Sequence, residues 1–336
     1  MSLEVPEVTI IIPMYNAESY IDKTLMSIQQ QTYDDFDVMI IDDASTDTSV
    51  SVVQEFQQSG ELKDKIKLLR LKKNGGISNA RNLGLRLARS KYISFVDNDD
   101  FLLPNSLETF IKMANEYNAD IVHTHSHYQN RMEISDDDVE MNFKPSSFEY
   151  GNKKHTKDPA HLLTLKMQER ITDLIEYRLD WNVWGKLFRR DFLMLYDIKF
   201  PKITYTEDML FCFQCLLHAK RYLLIPDLLY VYRYRSSSEL HGDRDKTFMN
   251  KIINVQIEGT RYLNEYMDTI KYFKSNPKER DRIISFYVRL EMMATKQMQK
   301  KFGKDLDYYQ ELQKMYSKHF EKDSALLAYL HIMSNR

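Results

Sequence analysis

A chain of 336 residues is long enough for one large α/β domain with a smaller appendage. Its 47 basic and 49 acidic residues nearly cancel, so no global field argues for nucleic acid and no polybasic block for an anionic bilayer. Apolar runs far shorter than the ~20 residues that span a membrane, no signal-peptide pattern at the N-terminus and only two cysteines predict a cytoplasmic protein in a reducing compartment.

The first ~125 residues alternate short apolar runs with amphipathic segments, the signature of βαβ units and a parallel sheet. Residues 8–12 give the first strand, and Ile21, Leu25 and Ile28 mark one face of the following helix. Residues 38–41 read as a second strand ending in Asp42-Asp43. Ser45, Thr46, Asp47 and Thr48 offer N-caps for a helix carrying Val50, Val53 and Phe56. Residues 66–71 form a third strand, stopped by Asn74-Gly75-Gly76, and Ile77, Ala80, Gly84 and Leu87 line the next helix. Residues 92–96 read as a buried fourth strand, Pro104 suits the first turn of the helix beyond it, and residues 121–125 suggest a fifth strand.

The pattern then weakens. Residues 126–157 are polar, with Asp136-Asp137-Asp138 as a solvated run, and read as a long mobile loop or lid. A helix is expected over residues 159–177, followed by a Trp-rich segment over 180–190. From about residue 243 the sequence is helical in pattern, without strand signals or repeats. The expected organisation is an α/β domain over 1–240, with halves of about 1–125 and 126–240, and a helical subdomain over 241–336. Cys212 and Cys215 form a C-x-x-C inside the apolar helical run Met209-Leu-Phe-Cys-Phe-Gln-Cys-Leu-Leu, so core packing outweighs redox or zinc chemistry.

Four polar clusters fall at strand ends: Pro13-Met-Tyr15-Asn16, Asp42-Asp43-Ala-Ser45-Thr-Asp47, Asn74-Gly-Gly-Ile-Ser-Asn79-Ala-Arg81-Asn82 and Asp97-Asn98-Asp99-Asp100. Ligands of open α/β sheets collect outside the carboxyl ends of strands. Turns alone need no aromatic, no Arg and no tripled Asp, and packed carboxylates repel unless a hard cation sits among them. The set reads as a nucleotide site. Tyr15 can stack on a base, Asp43 can accept from a pyrimidine N3–H, and Arg81 can meet a base carbonyl or a phosphate oxygen. Asp99 with a cation would neutralise a diphosphate. His123, His125 and His127 alternate; a half-exposed strand face near an acceptor channel is favoured over a metal set.

In this order, Val8-Thr-Ile-Ile-Ile-Pro-Met-Tyr-Asn-Ala, Ile41-Asp-Asp-Ala-Ser-Thr-Asp, Gly76-Ile-Ser-Asn-Ala-Arg-Asn and Phe95-Val-Asp-Asn-Asp-Asp resemble the donor half of the family 2 glycosyltransferases. The resemblance covers about residues 8–236. It implies the GT-A fold, a Rossmann-like, mostly parallel sheet flanked by helices. It also implies an inverting transferase of the bacterial surface-polysaccharide type, using Mn²⁺ or Mg²⁺ and a nucleotide-sugar, most often UDP-linked. Carried over by position, Tyr15 and Asp43 hold the base, Arg81 lies near uracil or diphosphate, Asp97 at ribose or outer-shell metal, and Asp99 on the metal. Pro13, Asn79 and Asn98 complete the donor set, and Asp97-Asn98-Asp99 meets the family's D-x-D.

The resemblance also extends to the second half. The family's catalytic base sits in a Glu-Asp pair such as Glu207-Asp208, and Asp208 takes that role, although both acids also suit a helix N-terminus. Trp181-Asn-Val-Trp184-Gly-Lys186-Leu-Phe-Arg189 resembles a Trp-x-Lys-Leu-Tyr-Arg element and puts Trp184 and Lys186 on the acceptor side, with a buried aromatic cluster as the competing reading. Tyr230-Val-Tyr-Arg233-Tyr-Arg235-Ser236 resembles a strand whose Arg233 and Arg235 approach the diphosphate, and His241 follows where some relatives return a metal-binding His. The implied partners are a UDP-sugar donor and a glycan or glycolipid acceptor, with no nucleic acid and no transmembrane segment. Homo-oligomerisation and peripheral contact with the inner membrane face are both compatible with the sequence. A sugar nucleotidyltransferase would need a Gly-rich, Arg/Lys-bearing loop where Pro13-Met-Tyr-Asn stands. A non-catalytic binding relative would not need both Asp99 and Asp208.

Overall fold

The computed structural model describes residues 5–130, 160–176, 179, 181–233, 246–302, 314 and 316–318. Runs of Val, Ile and Phe give four parallel strands, β1 (Val8–Met14), β2 (Phe36–Asp42), β3 (Ile66–Arg70) and β4 (Tyr92–Phe95), in spatial order β3-β2-β1-β4. Every residue of β1 and β2 is buried, because helices cover both faces of such a sheet; this is why their sequences run apolar rather than alternate.

The helices between them are α1 (Ile21–Gln29), α2 (Ser49–Gln58), α3 (Ile77–Leu87) and α4 (Ser106–Glu116). The stripe of Ile21, Leu25 and Ile28 is fully buried in the main core, with Val53 beside it and Val50 and Phe56 at its margin. In α3 the stripe stops short. Ala80 and Gly84 are buried, but Leu87, the last helical residue, is 41% exposed where the chain leaves the helix through an extended Ala88.

The sheet continues past β4 with mixed directions. β5 (Phe101–Leu102), β6 (Ile121–Asn130), β7 (His161–Leu162), β8 (Lys186–Arg189) and β9 (Tyr222–Arg233) extend it as β4-β8-β6-β9-β5, with β7 also on β9. β8 runs antiparallel to both β4 and β6, and β9 runs parallel to β6 but antiparallel to β5 and β7.

Three expectations change. Two-residue β5 separates the acidic cluster from α4, so Pro104 precedes the cap residue Asn105 instead of entering the helix. The strand expected over 121–125 runs on to Asn130 through register shifts at Thr124/Ser126 and Ser126/His127. The rest of the expected loop, residues 131–157, lies outside the described residues. The helix expected over 159–177 is only α5 (Met167–Ile175), because the free side of β9 captures His161–Leu162 as β7.

Next come α6 (Arg190–Leu195) and α7 (Glu207–His218). α7 is apolar on nearly every side and buries both cysteines as free thiols. Burial pushes the Cys215 thiol well above its ordinary value, the state of an inert core residue.

The chain divides into two compact units, Met1–Leu165 with Leu179–Ser238, and Lys166–Arg178 with Glu239–Arg336. The described part of the second unit consists mainly of α5, α8 (Lys246–Asp268), α9 (Lys271–Ser275) and α10 (Pro277–Phe302). Arg282 of α10 donates to Thr172 Oγ1 of α5 at 3.2 Å, and no described helix is long and apolar enough to cross a membrane.

Gly84 sets how closely α3 approaches the sheet. A Cβ built there would lie 2.5 Å from Ile11 Cγ2 on β1. Gly84→Ala gains about 1 kcal/mol of helix propensity but overpacks a fully buried strand, which costs about 1–3 kcal/mol. The variant is expected to melt below the wild type by a few degrees; an equal or higher melting temperature would show that α3 can back away from β1.

Candidate active site

The carboxyl ends of β1, β2 and β4 are neighbours, and their loops are tied together. Asn98 Nδ2 donates to the Pro13 carbonyl at 2.9 Å, Thr24 Oγ1 donates to the Asn98 carbonyl at 3.0 Å, and the Asp43 N–H donates to Met14 O at 2.8 Å. Asn16 adopts φ 47° and Ala44 φ 64°, and Asn16 exchanges bonds with the next loop through Ser45 Oγ (3.0 Å) and the Thr46 N–H (2.9 Å). Tyr15 is left 47% exposed at the rim, open for stacking. The direction of connection reverses between β1 and β4, the place where open sheets form their ligand crevice.

Asp43 is 3% exposed, and each carboxylate oxygen accepts a backbone N–H, Gly75 at 2.8 Å and Gly76 at 2.7 Å. This clamp fixes the turn that opens α3. Gly76 has φ 84°, and a Cβ on Gly75 would lie 2.7 Å from Asn79 Nδ2, so the glycine pair follows from conformation and close approach. Each oxygen keeps a second lone pair, which a ligand N–H could use.

Arg81 projects from α3 into the interior and is 1% exposed. Its guanidinium bonds Asp97 Oδ1 at 2.7 Å and Asp208 Oδ1 directly, lies 3.5 Å from Glu207 Oε1, and sits 5.3 Å from the Phe200 ring centre. Burial works against this charge, and the carboxylates of Asp208, Asp97 and Glu207 outweigh it, raising the guanidinium above its ordinary value. The residue expected beside a base or diphosphate is found instead as a buried bridge between the acidic cluster and the Glu-Asp pair. Sequence position alone gave no sign of that role.

The Glu-Asp pair opens α7 just after Tyr205, whose φ of 72° is a left-handed conformation unusual for a bulky residue. Burial and the charge of Asp208 push Glu207 up to about 7, against the pull of Arg81. Asp208 keeps a 25% exposed side chain. Its carboxyl is raised by burial and by Asp97, while Arg81, the Val183 backbone and Lys186 act the other way. Lys186 is buried and donates to the Asn182 carbonyl. Trp184 is 8% exposed and stacks on Tyr230 and Tyr232 at 4.7 and 5.6 Å, an aromatic cluster that leaves little of its ring for a sugar.

The acidic cluster is held from the opposite side by β9. The Asp97 N–H donates to Tyr230 Oη at 3.2 Å, and Tyr230 Oη donates to Asp100 Oδ2 at 2.7 Å. The Arg233 N–H donates to Asp100 Oδ1 at 2.8 Å. The Arg233 guanidinium lies over the rings of Phe101 and Tyr20, at 4.2 and 5.4 Å. Asp100 is fully buried, whereas Asp97, Asn98 and Asp99 are half-buried. Burial, with Asp99 and Asp97 adding, pushes the Asp100 carboxyl well above its ordinary range. Asp100 and Tyr230 carry no role in the motif pattern; the only hint is an aspartate running straight into Phe101-Leu102.

The donor chemistry at this turn suits a divalent cation. Carboxylates on one half-buried turn match Mg²⁺- or Mn²⁺-type sites that use one or two protein carboxylates and take the remaining ligands from phosphate and water. Among the described residues no group of three His, Cys, Asp or Glu forms a ready-made cage. Arg235 and His241 lie outside the described residues. His123 is 1% exposed and bonded to Tyr222 Oη at 3.0 Å, so the half-exposed face expected there is closed at His123. The side chains of His125 and His127 lie outside what is described.

The family described as Glycosyl transferase family 2 matches residues 9–177. The glycosyltransferase EpsJ of Bacillus subtilis strain 168 is 29% identical over 235 residues, which are 70% of this chain and 63% of that protein. TarS of Staphylococcus aureus strain MW2, a poly(ribitol-phosphate) β-N-acetylglucosaminyltransferase, is 28% identical over 69% of this chain and 36% of its own length. Both matches span less than two thirds of the relative. The crystal structure of S. aureus TarS 1-349 with UDP superposes with a TM-score of 0.68 at 18% identity, covering 98% of this chain and 88% of that one. The mannosyltransferase PcManGT of Pyrobaculum calidifontis, with GDP-Man and Mn²⁺, gives 0.51 at 16% identity, covering 99% and 87%. These likenesses show the GT-A fold.

Glu207 makes stability depend on pH. Its folded value of about 7 stands above its ordinary 4.5, so the native state holds this proton more tightly than the unfolded chain. Stability therefore falls as pH rises through that window. Glu207→Gln has no such proton, and its melting temperature should decline less than wild type between those two pH values. Asp100 and Asp208, also raised, keep part of the slope. An identical slope in the variant would show that Glu207 ionises at its ordinary value.

Proposed function

The chain belongs to glycosyl transferase family 2, and on that premise we propose that it moves a sugar from a nucleotide-sugar, UDP-linked in the first instance, to a hydroxyl of a glycan or glycolipid acceptor with inversion at the anomeric carbon. The observation that carries this reading is the Arg81 bridge. One buried guanidinium holds both Asp97 of the acidic turn and Asp208 of α7, which keeps a candidate base within one side chain's reach of the donor edge.

In this reading the base stacks on Tyr15 and offers its N3–H to Asp43, with Pro13, Asn79 and Asn98 shaping the pocket. Asp99 would hold Mn²⁺ or Mg²⁺, with Asp97 at the ribose or in the outer shell of the metal, and the cation, when bound, would neutralise the departing diphosphate. The UDP and Mn²⁺ of the structural neighbours support a nucleotide-sugar donor and a divalent cation. Asp208 takes the proton of the acceptor hydroxyl while that oxygen bonds to the anomeric carbon from the face opposite the diphosphate. The bond from that carbon to the diphosphate oxygen breaks, and its electron pair leaves with the nucleoside diphosphate. A carboxyl raised by burial is the stronger base for this task, and Arg81 fixes its direction. Lys186 adds positive charge near Asp208, and Arg233 and Arg235 belong on the diphosphate side. TarS, whose name makes it a transferase to poly(ribitol-phosphate), supports a bacterial surface polymer as the acceptor class, and we place the reaction in the cytoplasm or at the inner face of the membrane.

Asp208→Asn tests the base directly. The amide keeps the shape and an oxygen for Arg81 but takes no proton at neutral pH. kcat should fall by about 10²–10⁴, with UDP affinity near wild type. Asn caps a helix about as well as Asp, so a purely capping Asp208 predicts a near-normal kcat, and that result would overturn the assignment. Chelation is the companion measurement: transfer should stop in excess EDTA and return with Mn²⁺, and full activity in EDTA would remove the cation from the reading.

A further inference from the structure

We propose that Tyr230 is a positioning residue for cation and diphosphate binding: its hydroxyl, set between the Asp97 N–H and the Asp100 carboxylate, holds the acidic turn in the shape that presents Asp97 and Asp99. The inference rests on the donor reading above and gives a role to a residue that the motif pattern left without one.

Tyr230 is fully buried on β9, and its ring stacks on Trp184 at 4.7 Å, so the phenol oxygen is fixed before any ligand arrives. That oxygen accepts from the first residue of the turn and donates to the last. Both ends of Asp97-Asn98-Asp99-Asp100 are therefore tied to one atom. The Asp100 N–H also donates to the Asp97 carbonyl at 3.2 Å, and Arg233 anchors the second oxygen of Asp100. Pairing of Leu102 with Tyr230 and of Phe101 with Val231 fixes the register that makes the contact. Asp100 is buried and turned inward, so it is the anchor of the turn. Asp97 and Asp99 remain half-exposed to meet a ligand. Groups that orient metal ligands in this way usually govern metal affinity by about 10–100-fold.

Tyr230→Phe keeps the stacked ring and removes only the hydroxyl. The test titrates Mn²⁺ at fixed UDP by calorimetry, with wild type and variant compared well below both melting temperatures. The Mn²⁺ concentration for half-maximal UDP binding should rise about 10-fold or more, and saturating Mn²⁺ should restore UDP affinity. In turnover assays at limiting Mn²⁺, donor KM should rise more than kcat falls. An unchanged Mn²⁺ requirement, or a loss of UDP affinity that excess Mn²⁺ does not restore, overturns the inference and leaves the donor reading intact. A wild type whose UDP binding ignores Mn²⁺ overturns both. Asp100→Asn approaches from the other side of the same hydrogen bond: it keeps a carbonyl for Arg233 but presents an amide to Tyr230. It should show the same shift if Tyr230→Phe folds poorly.

Discussion

Everything at this site turns on a guanidinium enclosed among three carboxylates. An unpaired charge at the burial of Arg81 is untenable, so Asp97 at the end of β4 and the first residues of α7 have to converge on α3. Breaking a buried pair of this kind costs about 3–5 kcal/mol, and the lower end applies because Asp97 and Asp208 are each about one quarter exposed. Three acids against one Arg leave excess negative charge. Protonation of Glu207 near neutrality relieves part of it. A divalent cation at the same edge would relieve the remainder.

The two halves of the sheet contribute differently. The parallel half, β1 to β4, delivers polar loops to one edge, and Asp43 locks the second of these loops to the glycine turn that opens α3. Gly84 then lets α3 lie close enough to β1 for Arg81 to reach inward. The mixed half supplies α7 with its Glu207-Asp208 pair, preceded by the left-handed Tyr205, and the β9 strand that grips the acidic turn. Main-chain strain at Asn16, Ala44 and Tyr205 collects around this edge, where it costs of order 1–3 kcal/mol per residue.

Much of this was legible in the sequence for local reasons. Buried parallel strands are continuous apolar runs, so β1, β2, β3 and β4 stood out, and helical spacing gave the α1 stripe and the buried C-x-x-C of α7. The illegible parts were those made by distant pairing. β5 and β7 are two residues each, too short for any periodicity, and exist because β9 offers them an edge. Asp100 looks like one more solvated acid until Tyr230 and Arg233, about 130 positions later, cover it. Arg81 carried a recognisable motif, but its bond to Asp208 across 127 positions had no local signature. Trp184 read as an acceptor-side platform, with a buried aromatic cluster explaining it nearly as well, and only the distant rings of Tyr230 and Tyr232 show that it packs in such a cluster.

The position of β8 bears on how the molecule is made. β8 lies between β4 and β6, both of which are synthesised before it. A nascent chain that has just emerged through Asn130 therefore holds two strands that will never pair with each other and an open slot between them. Such unpaired edges invite capture by other chains. Closing the slot requires Lys186–Arg189, and the hydroxyl that steadies the acidic turn arrives later still, with Tyr230. The segments bearing the donor motifs thus leave the ribosome long before the surface they form is complete, and a chain stopped short of β9 would carry all four of the donor-half clusters without a finished site.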